Sequence, residues 1–398
     1  MSIYRELFDL RPFINAGGHL TGYGGSLMTE ETLAAMNRAA AEWVDIRDLL
    51  RLASTGIAEM LGITSALGGV HITSGAAAAN ALAAAAVMTG NDRSRMEALP
   101  DSSGFPNEIL MQPAHAIGWA RSYAAAGARI TVAPADIAVN PASGPDVLGG
   151  AEDSFESGIN ENTCAIAAIL SYPTAHTGTL PISRLVAIAR RHRLPVIVDA
   201  AAQIPPISTV AEFLKMGVSL VAVSGGKALC GPNDTGLLAG SHDFLTPAIL
   251  QSNPNTGVVG RAYKVSKEQI VGLYIAMRAY VNGDPDGRVA ENQQRCNFLV
   301  EQLAGIDHIR LEKLFPDELG RPVPTVRIHL LEPLGRSAGE IIQILGEESP
   351  SIRVRRSLDQ APFFGIFVST LRVGEIEIVA KRLTEVLTRT VSRDQPSG

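Results

Sequence analysis

Cysteine is scarce in this sequence: Cys164, Cys230 and Cys296 are odd in number and far apart. That spacing fits neither a disulfide framework nor a zinc site, so no metal is expected, and free thiols point to a reducing cytoplasm. Positive charge is also short. The 34 Lys and Arg stand against 40 Asp and Glu, for a net charge of −6 and a pI of about 5.8. This argues against a nucleic-acid surface or an acidic membrane as the main partner. Long apolar runs are missing too. The most apolar segment, Ala76–Met88, is mostly alanine and too short to span a bilayer. The opening MSIYRELFDL carries two acids and no long apolar run, and is not expected to act as a signal peptide. Neither G-x-G-x-x-G nor G-x-x-x-x-G-K-[ST] occurs, which removes the two common nucleotide-phosphate loops. No internal repeat is evident.

What is present suits a globular chain. Its 398 residues are 46% hydrophobic and 19% charged, enough for a large domain with a smaller one beside it. The most informative stretch is VAVSGGKALCGPNDTG, Val221 to Gly236. A mostly apolar run stops at a serine, two glycines and Lys227, which reads as a buried strand ending in a tight turn. An isolated loop lysine is ordinarily solvated. In such a turn, however, a lysine can be desolvated and held partly unprotonated, as an amine needs to be to form a Schiff base. Asp199 ends a second apolar run, PVIVDAAAQ from Pro195 to Gln203. Two neighbouring strands ending in Lys and Asp suit pyridoxal phosphate (PLP): the lysine holds the aldehyde and the aspartate keeps the ring nitrogen protonated.

The rest of the chain supports that reading. The run INAGGHLTGYGGS, Ile14 to Ser26, is rich in glycine and reads as an arm able to pass close to a ligand. Helices are expected at Glu30–Trp43 and near 47–61, and strand–turn–helix over Ala66–Met88 with Thr73-Ser74-Gly75 as the turn. Helix-start N–H groups, a hydroxyl and a glycine would accept a phosphate there. Residues 91–106 read as loop. A strand at Asn107–Gln112 leads to His115 and a helix to Gly127, and the His115 ring is placed to stack on a flat cofactor. Strands and helices then alternate to Val223, which predicts a parallel sheet covered on both faces. Ligands in such sheets bind at the carboxyl ends of the strands, and Ser74, His115, Ser171, Asp199 and Ser224 all fall at such ends. Beyond a helix at 266–281, mixed helices and strands to residue 391 form a satellite α/β domain. The tail from Ser392 is expected to be disordered.

Five segments resemble one known family. INAGG from Ile14, TSGAAAA from Thr73, LPDSSGFPNEILMQ from Leu99, VDAAAQ from Val198, and SGGKALCGPNDTGLLAG from Ser224 followed by GRAYKVSKE are similar to the fold-type I PLP enzymes. The branch is that of selenocysteine synthase and D-glucosaminate-6-phosphate ammonia-lyase, and the resemblance is closer to the ammonia-lyase side. TLRVGEIEIVAKRL from Thr370 extends it to the last helix. The resemblance implies an α/β, fold-type I, transferase-like architecture: a mostly parallel seven-stranded sheet with helices on both faces, plus a smaller α/β C-terminal domain. The expected divisions are an N-terminal arm (1–28), a large PLP-binding domain (29–265) and a small domain (266–398, with part of the arm).

By the same resemblance Lys227 is the Schiff-base lysine and Asp199 the partner of the pyridinium nitrogen. Ser74, Gly75, Ala76 and Ser224 hold the phosphate, His115 covers one ring face and Ala201 lies under the other. Ser171 and Gln203 complete the candidate cofactor residues. Arg355, Arg353 and Arg372 are candidates for the substrate carboxylate, and Arg261 and Lys264 for reaching a partner subunit's site. The lyase-like pattern has an arginine and a tyrosine after the histidine turn, where this chain has Ala116 and Trp119. A substrate smaller or less anionic than a phosphosugar then becomes plausible. The expected activity is Cα-proton abstraction by Lys227 and β-elimination of water from an amino acid or amino sugar acid. Racemisation, aldol cleavage and selenocysteine-synthase-like β-replacement are the alternatives. A homodimer or higher homo-oligomer is expected, with no nucleic-acid or membrane partner.

Overall fold

Along Thr163–Ile169, Val196–Asp199 and Leu220–Ser224, successive side chains point to opposite faces of a sheet, and nearly all are apolar and buried. Such strands are stable only where both faces are covered. The computed structural model describes residues 2–134, 145–174, 178–331, 336–357 and 361–388, so the tail from Ser392 lies outside the described residues. Two compact units are formed: Gly25–Gly283, and Met1–Gly24 with Asp284–Gly398.

In chain order the elements are α1 (Ile3–Phe8) and β1 (Ile14–Ala16), then α2 (Glu30–Ala40), α3 (Ile46–Met60), β2 (Gly69–Thr73), α4 (Ala76–Thr89) and α5 (Arg93–Ala98). Next come β3 (Glu108–Met111), α6 (Arg121–Ala124), β4 (Arg129–Val132), α7 (Pro145–Glu156), β5 (Thr163–Ile169), α8 (Ile182–His192), β6 (Val196–Asp199), α9 (Thr209–Met216) and β7 (Leu220–Ser224). β8 (Gly236–Gly240), α10 (His242–Leu250) and α11 (Lys267–Val281) complete the larger unit. The smaller unit adds α12 (Pro285–Leu303), β9 (Ile309–Leu314), β10 (Thr325–Leu330), α13 (Ala338–Glu347), β11 (Ile352–Arg356), β12 (Phe363–Ile366) and α14 (Glu375–Thr388).

The larger sheet has seven strands in the order β2-β8-β7-β6-β5-β3-β4. All run parallel except β8, which is antiparallel to both its neighbours. Leu110, Ile166, Val198 and Val221 join one core with α3, α8, α9 and α11. The intervening Ile109, Ala167, Ile197 and Ala222 join a second with α4, α6 and α10. Helix α4 is mostly alanine, the strongest helix former, and is buried from Ala78 to Ala86. In the smaller unit the order is β1-β11-β12-β10-β9, with only β1 parallel to its neighbour. Leu299 of α12, Leu345 of α13 and Leu383 of α14 pack in its core.

The structure corrects several expectations. The boundary placed after residue 265 falls after Gly283, because Ile270, Leu273 and Met277 of α11 pack into the core with Leu50 and Ile57 of α3. Residues 91–106 are not all loop: the Asp92 carboxylate accepts from the N–H groups of Ser94 and Arg95 and starts α5. The helix expected from His115 to Gly127 is broken into two 3-10 turns and the four-residue α6. Ile14–Ala16, taken as part of the arm, forms a strand by pairing with Ile352–Val354.

Candidate active site

Strand register brings five predicted residues of the larger unit, Ser74, His115, Ser171, Asp199 and Ser224, to one edge. Thr73 lies opposite Gly236, which lies opposite Ser224. Asp199 lies opposite Ile169 on one side and Ala222 on the other. Ser74 directly follows β2, His115 follows β3 by four residues, and Ser171 follows β5 by two. All five therefore stand at the carboxyl ends of mutually parallel strands, where α/β sheets bind ligands. A sixth group, the amide of Gln112, locks this rim. Its Oε1 accepts from Leu180 N at 2.6 Å and its Nε2 donates to Leu180 O at 3.2 Å.

Asp199 follows Ile197 by two residues and so shares its face, toward α4 and α6. Its carboxylate is buried. Oδ1 accepts from Ala201 N at 3.0 Å and Oδ2 accepts from Asn80 Nδ2 at 2.7 Å. Burial pushes its pKa above the ordinary carboxylate value, while the Ala201 N–H, the Asn80 amide and the positive charge of Lys227 pull the other way. Lys227 follows β7, the strand paired with the β6 strand that ends in Asp199. Tyr123 of α6 is fully buried, and both burial and the Asp199 charge raise its hydroxyl pKa well above the usual range.

Lys227 is half-buried in a turn built by close backbone approach. Gly225 N donates to Thr235 O, Gly231 N to Gly225 O, and Cys230 N to Lys227 O. A Cβ at Gly226 would come within 2.4 Å of Asn233 Cα, so no side chain fits there. Gly25 at the start of this unit lies against the same turn: a Cβ there would stand 2.7 Å from Gly226 O and 2.2 Å from Asn233 Oδ1.

The turn at Ser74-Gly75 is open. Gly75 has φ of +106°, caps α4 with no side-chain hydrogen bond, and has open space where a Cβ would be. The first N–H groups of this fourteen-residue helix follow directly on Ser74 and have no side-chain cap from Gly75. His115 is buried with its Nδ1 unpartnered among the described residues, and so is Ser171 Oγ. Burial holds the His115 imidazole neutral by lowering its pKa from 6.5 to about 4. An uncapped helix start, a flat neutral ring, a buried carboxylate and a nearby lysine are what the phosphate, face, nitrogen and aldehyde of PLP require, so the residues fit it. Ala201 and Gln203 follow β6 in the same rim, with Gln203 Nε2 donating to Leu170 O at 3.4 Å.

The candidate arginines stand on other elements. Arg261 and Lys264 are exposed on the loop between α10 and α11. In the smaller unit, Arg355 Nε donates to Gly17 O at 2.7 Å and its guanidinium lies 4.8 Å from the Phe367 ring centre. Arg372 is exposed and its N–H donates to Glu375 at the start of α14, while Arg353 lies over Phe13. Sequence reasoning missed Asn80, Tyr123 and Gln112. For Asn80 a signal was available, since it is the one polar residue in Ala76–Met88.

Known proteins give this arrangement a context. The aminotransferase class-V family matches residues 35–269. D-glucosaminate-6-phosphate ammonia lyase of Salmonella typhimurium is 29% identical over 97% of this chain and 98% of its own length. A solved structure of D-glucosaminate-6-phosphate ammonia-lyase superposes with a TM-score of 0.78 at 28% identity, covering 97% of this chain and 98% of that one. The 5'-C-glycyluridine monooxygenase-decarboxylase of a Streptomyces species is 30% identical over 94% of this chain and 90% of its own. An L-seryl-tRNA(Sec) selenium transferase of Desulfovibrio desulfuricans, 31% identical, matches 33% of this chain and 28% of its own. With this fold, this strand-end constellation and these matches, the chain belongs to the aminotransferase class-V family of fold-type I, PLP-dependent enzymes.

Proposed function

We propose that the chain is a PLP-dependent lyase. It removes the Cα proton and the β-hydroxyl of an amino acid or amino sugar acid, together one water, and the enamine so formed is hydrolysed to a 2-oxo acid and ammonia. The observation that carries this reading is that Asp199, buried at the end of β6, and Lys227, just beyond β7, stand on adjacent parallel strands at the same edge of the sheet. The match to the Salmonella ammonia lyase over nearly the whole chain supports the reaction class.

When bound, PLP supplies a protonated ring that accepts the electron pair left at Cα. Asp199 holds the proton on the ring nitrogen. Ser74, Gly75, Ala76 and Ser224, with the start of α4, hold the phosphate. His115 would cover one ring face and Ala201 the other, with Ser171 and Gln203 at the rim. Lys227 Nζ would hold the aldehyde end of the cofactor and, as a free amine, would take the proton from the substrate's Cα. Departure of the β-hydroxyl with a proton leaves an enamine, which water hydrolyses to the 2-oxo acid and ammonia. Arg355, Arg372 and Arg261 are the candidates for the substrate carboxylate. The reading carries a cytoplasmic homodimer, with Arg261 and Lys264 turned to the partner subunit.

A second reading has support in the Streptomyces relative, a monooxygenase-decarboxylase at 30% identity. Here the same Lys227–Asp199 pair would serve loss of the carboxylate with consumption of oxygen. Both readings are tested by a panel of D- and L-amino acids and amino sugar acids, run with and without air. Ammonia and 2-oxo acid released in both atmospheres support the lyase; carbon dioxide released only in air supports the decarboxylase. Lys227→Ala should lose the visible absorbance band of lysine-bound PLP, and a reconstituted wild type without that band overturns both readings.

A further inference from the structure

Two buried polar atoms near Asp199 have complementary needs. The Asn80 amide must turn its NH2 to Asp199 Oδ2, because the flipped amide would set two acceptor oxygens against each other at 2.7 Å. That leaves Asn80 Oδ1 buried with no donor among the described residues. The Tyr123 hydroxyl is buried with no partner there either. Helix α6 packs on α4, and both side chains lie on the sheet face that Asp199 shares. One lacks a donor and the other can donate. A polar group left unmade in such a core costs about 1–3 kcal/mol, which the apolar middle of α4 would not keep without a use.

We infer that Asn80 is a positioning residue for the ring-nitrogen clamp: its amide fixes the orientation of the Asp199 carboxylate, and the Tyr123 hydroxyl, through a buried water, fixes the amide. This rests on the proposed role of Asp199 as the partner of the PLP nitrogen. The amide stands on the helix whose first turn would hold the phosphate, so α4 sets both ends of the cofactor from one rigid element. The groups facing the carboxylate are the Ala201 N–H in the turn after β6, Asn80 from α4, Lys227 from the loop after β7 and Tyr123 from α6.

The test uses the full chain with and without PLP, comparing wild type with Asn80→Leu, Asn80→Ala and Tyr123→Phe. Asn80→Leu keeps the volume and deletes the donor. Tyr123→Phe deletes only the hydroxyl and preserves the fold most gently. In the cofactor-free chain, the Asp199 carboxyl is titrated by carbon-13 NMR, with its resonance identified by Asp199→Asn. Loss of the Asn80 donor should raise its midpoint, and Tyr123→Phe should raise it by less. With PLP, the dissociation constant of Asn80→Leu should rise by about tenfold or more, and the pH at which the visible band changes should move. A side chain that merely fills space would move none of these midpoints. Wild-type midpoints in the folded Tyr123→Phe chain, with the Asn80 variants likewise at wild type or unfolded, overturn the inference. A wild type that takes no PLP overturns the function proposed above, yet leaves the cofactor-free titration to be read.

Discussion

Keeping Asp199 charged opposes folding, and its three favourable contacts only partly offset this. Burial raises its pKa in the folded chain, so the native state holds the proton more tightly than the unfolded state does. The sign follows from linkage: such a carboxyl adds nothing unfavourable below its unfolded pKa of about 3.9, and stability falls as pH rises through the folded value. Asp199→Asn keeps the shape and removes the charge. In the cofactor-free chain it should therefore raise the melting temperature at pH 7, by about 2–4 °C for each kcal/mol relieved, and the gain should vanish near pH 3. Cα-proton exchange in deuterated water should be lost in the same variant. Equal melting of the two chains at pH 7 would show that the carboxylate is fully compensated. A functional carboxylate held against stability is the expected trade-off at a working site.

Among the elements, the start of α4 makes the sharpest demand on its sequence. Gly75 sits at φ of +106° with nothing where a Cβ would go. Gly75→Ala thus meets no clash, but it holds a non-glycine residue in a rarely allowed backbone region, at on the order of 1–3 kcal/mol. It also puts a methyl over the N–H groups proposed to hold the phosphate. PLP affinity should fall by about tenfold or more while Gly90→Ala, at the far end of the same helix and also at positive φ, should leave it near wild type; both are read by absorbance titration. The strands that aim these groups were legible because each is apolar on both faces, and their ends followed from Asp199, Ser224 and the glycines after it. Asn80 and Tyr123 were not legible, because their meaning lies in which helices share a sheet face, and α6 is a four-residue remnant of the helix expected there. β1 was hidden among glycines, since its pairing partner Ile352–Val354 is over 330 residues away. α5 was hidden in a polar stretch held by one capping carboxylate and the buried Met96.

Across the larger unit, two histidines with the opposite sign to Asp199 set the response to acid. His71 on β2 is buried and its pKa is lowered from 6.5 to about 4, and His115 is lowered to about 4 for the same reason. A histidine kept neutral by burial contributes stability that is full above about pH 6.5 and is lost as pH falls toward 4, because only the unfolded chain gains the proton. The loss is on the order of 3 kcal/mol for each fully expressed shift, a large share of a marginal stability. Asp199 works against this loss over the acid part of the range, where its protonation relieves the folded state. Hydrogen exchange of β5, β6 and β7 reads this unit alone, and protection there should fall steeply between pH 6.5 and 4.5 after correction for intrinsic exchange. His71→Leu should flatten that fall and keep PLP binding, because His71 lies within β2 rather than at its carboxyl end. His115→Phe should flatten it too and retain a flat ring face for the cofactor. Parallel decline in wild type and both variants would show that the acid response comes from elsewhere, in the ion pairs of the surface.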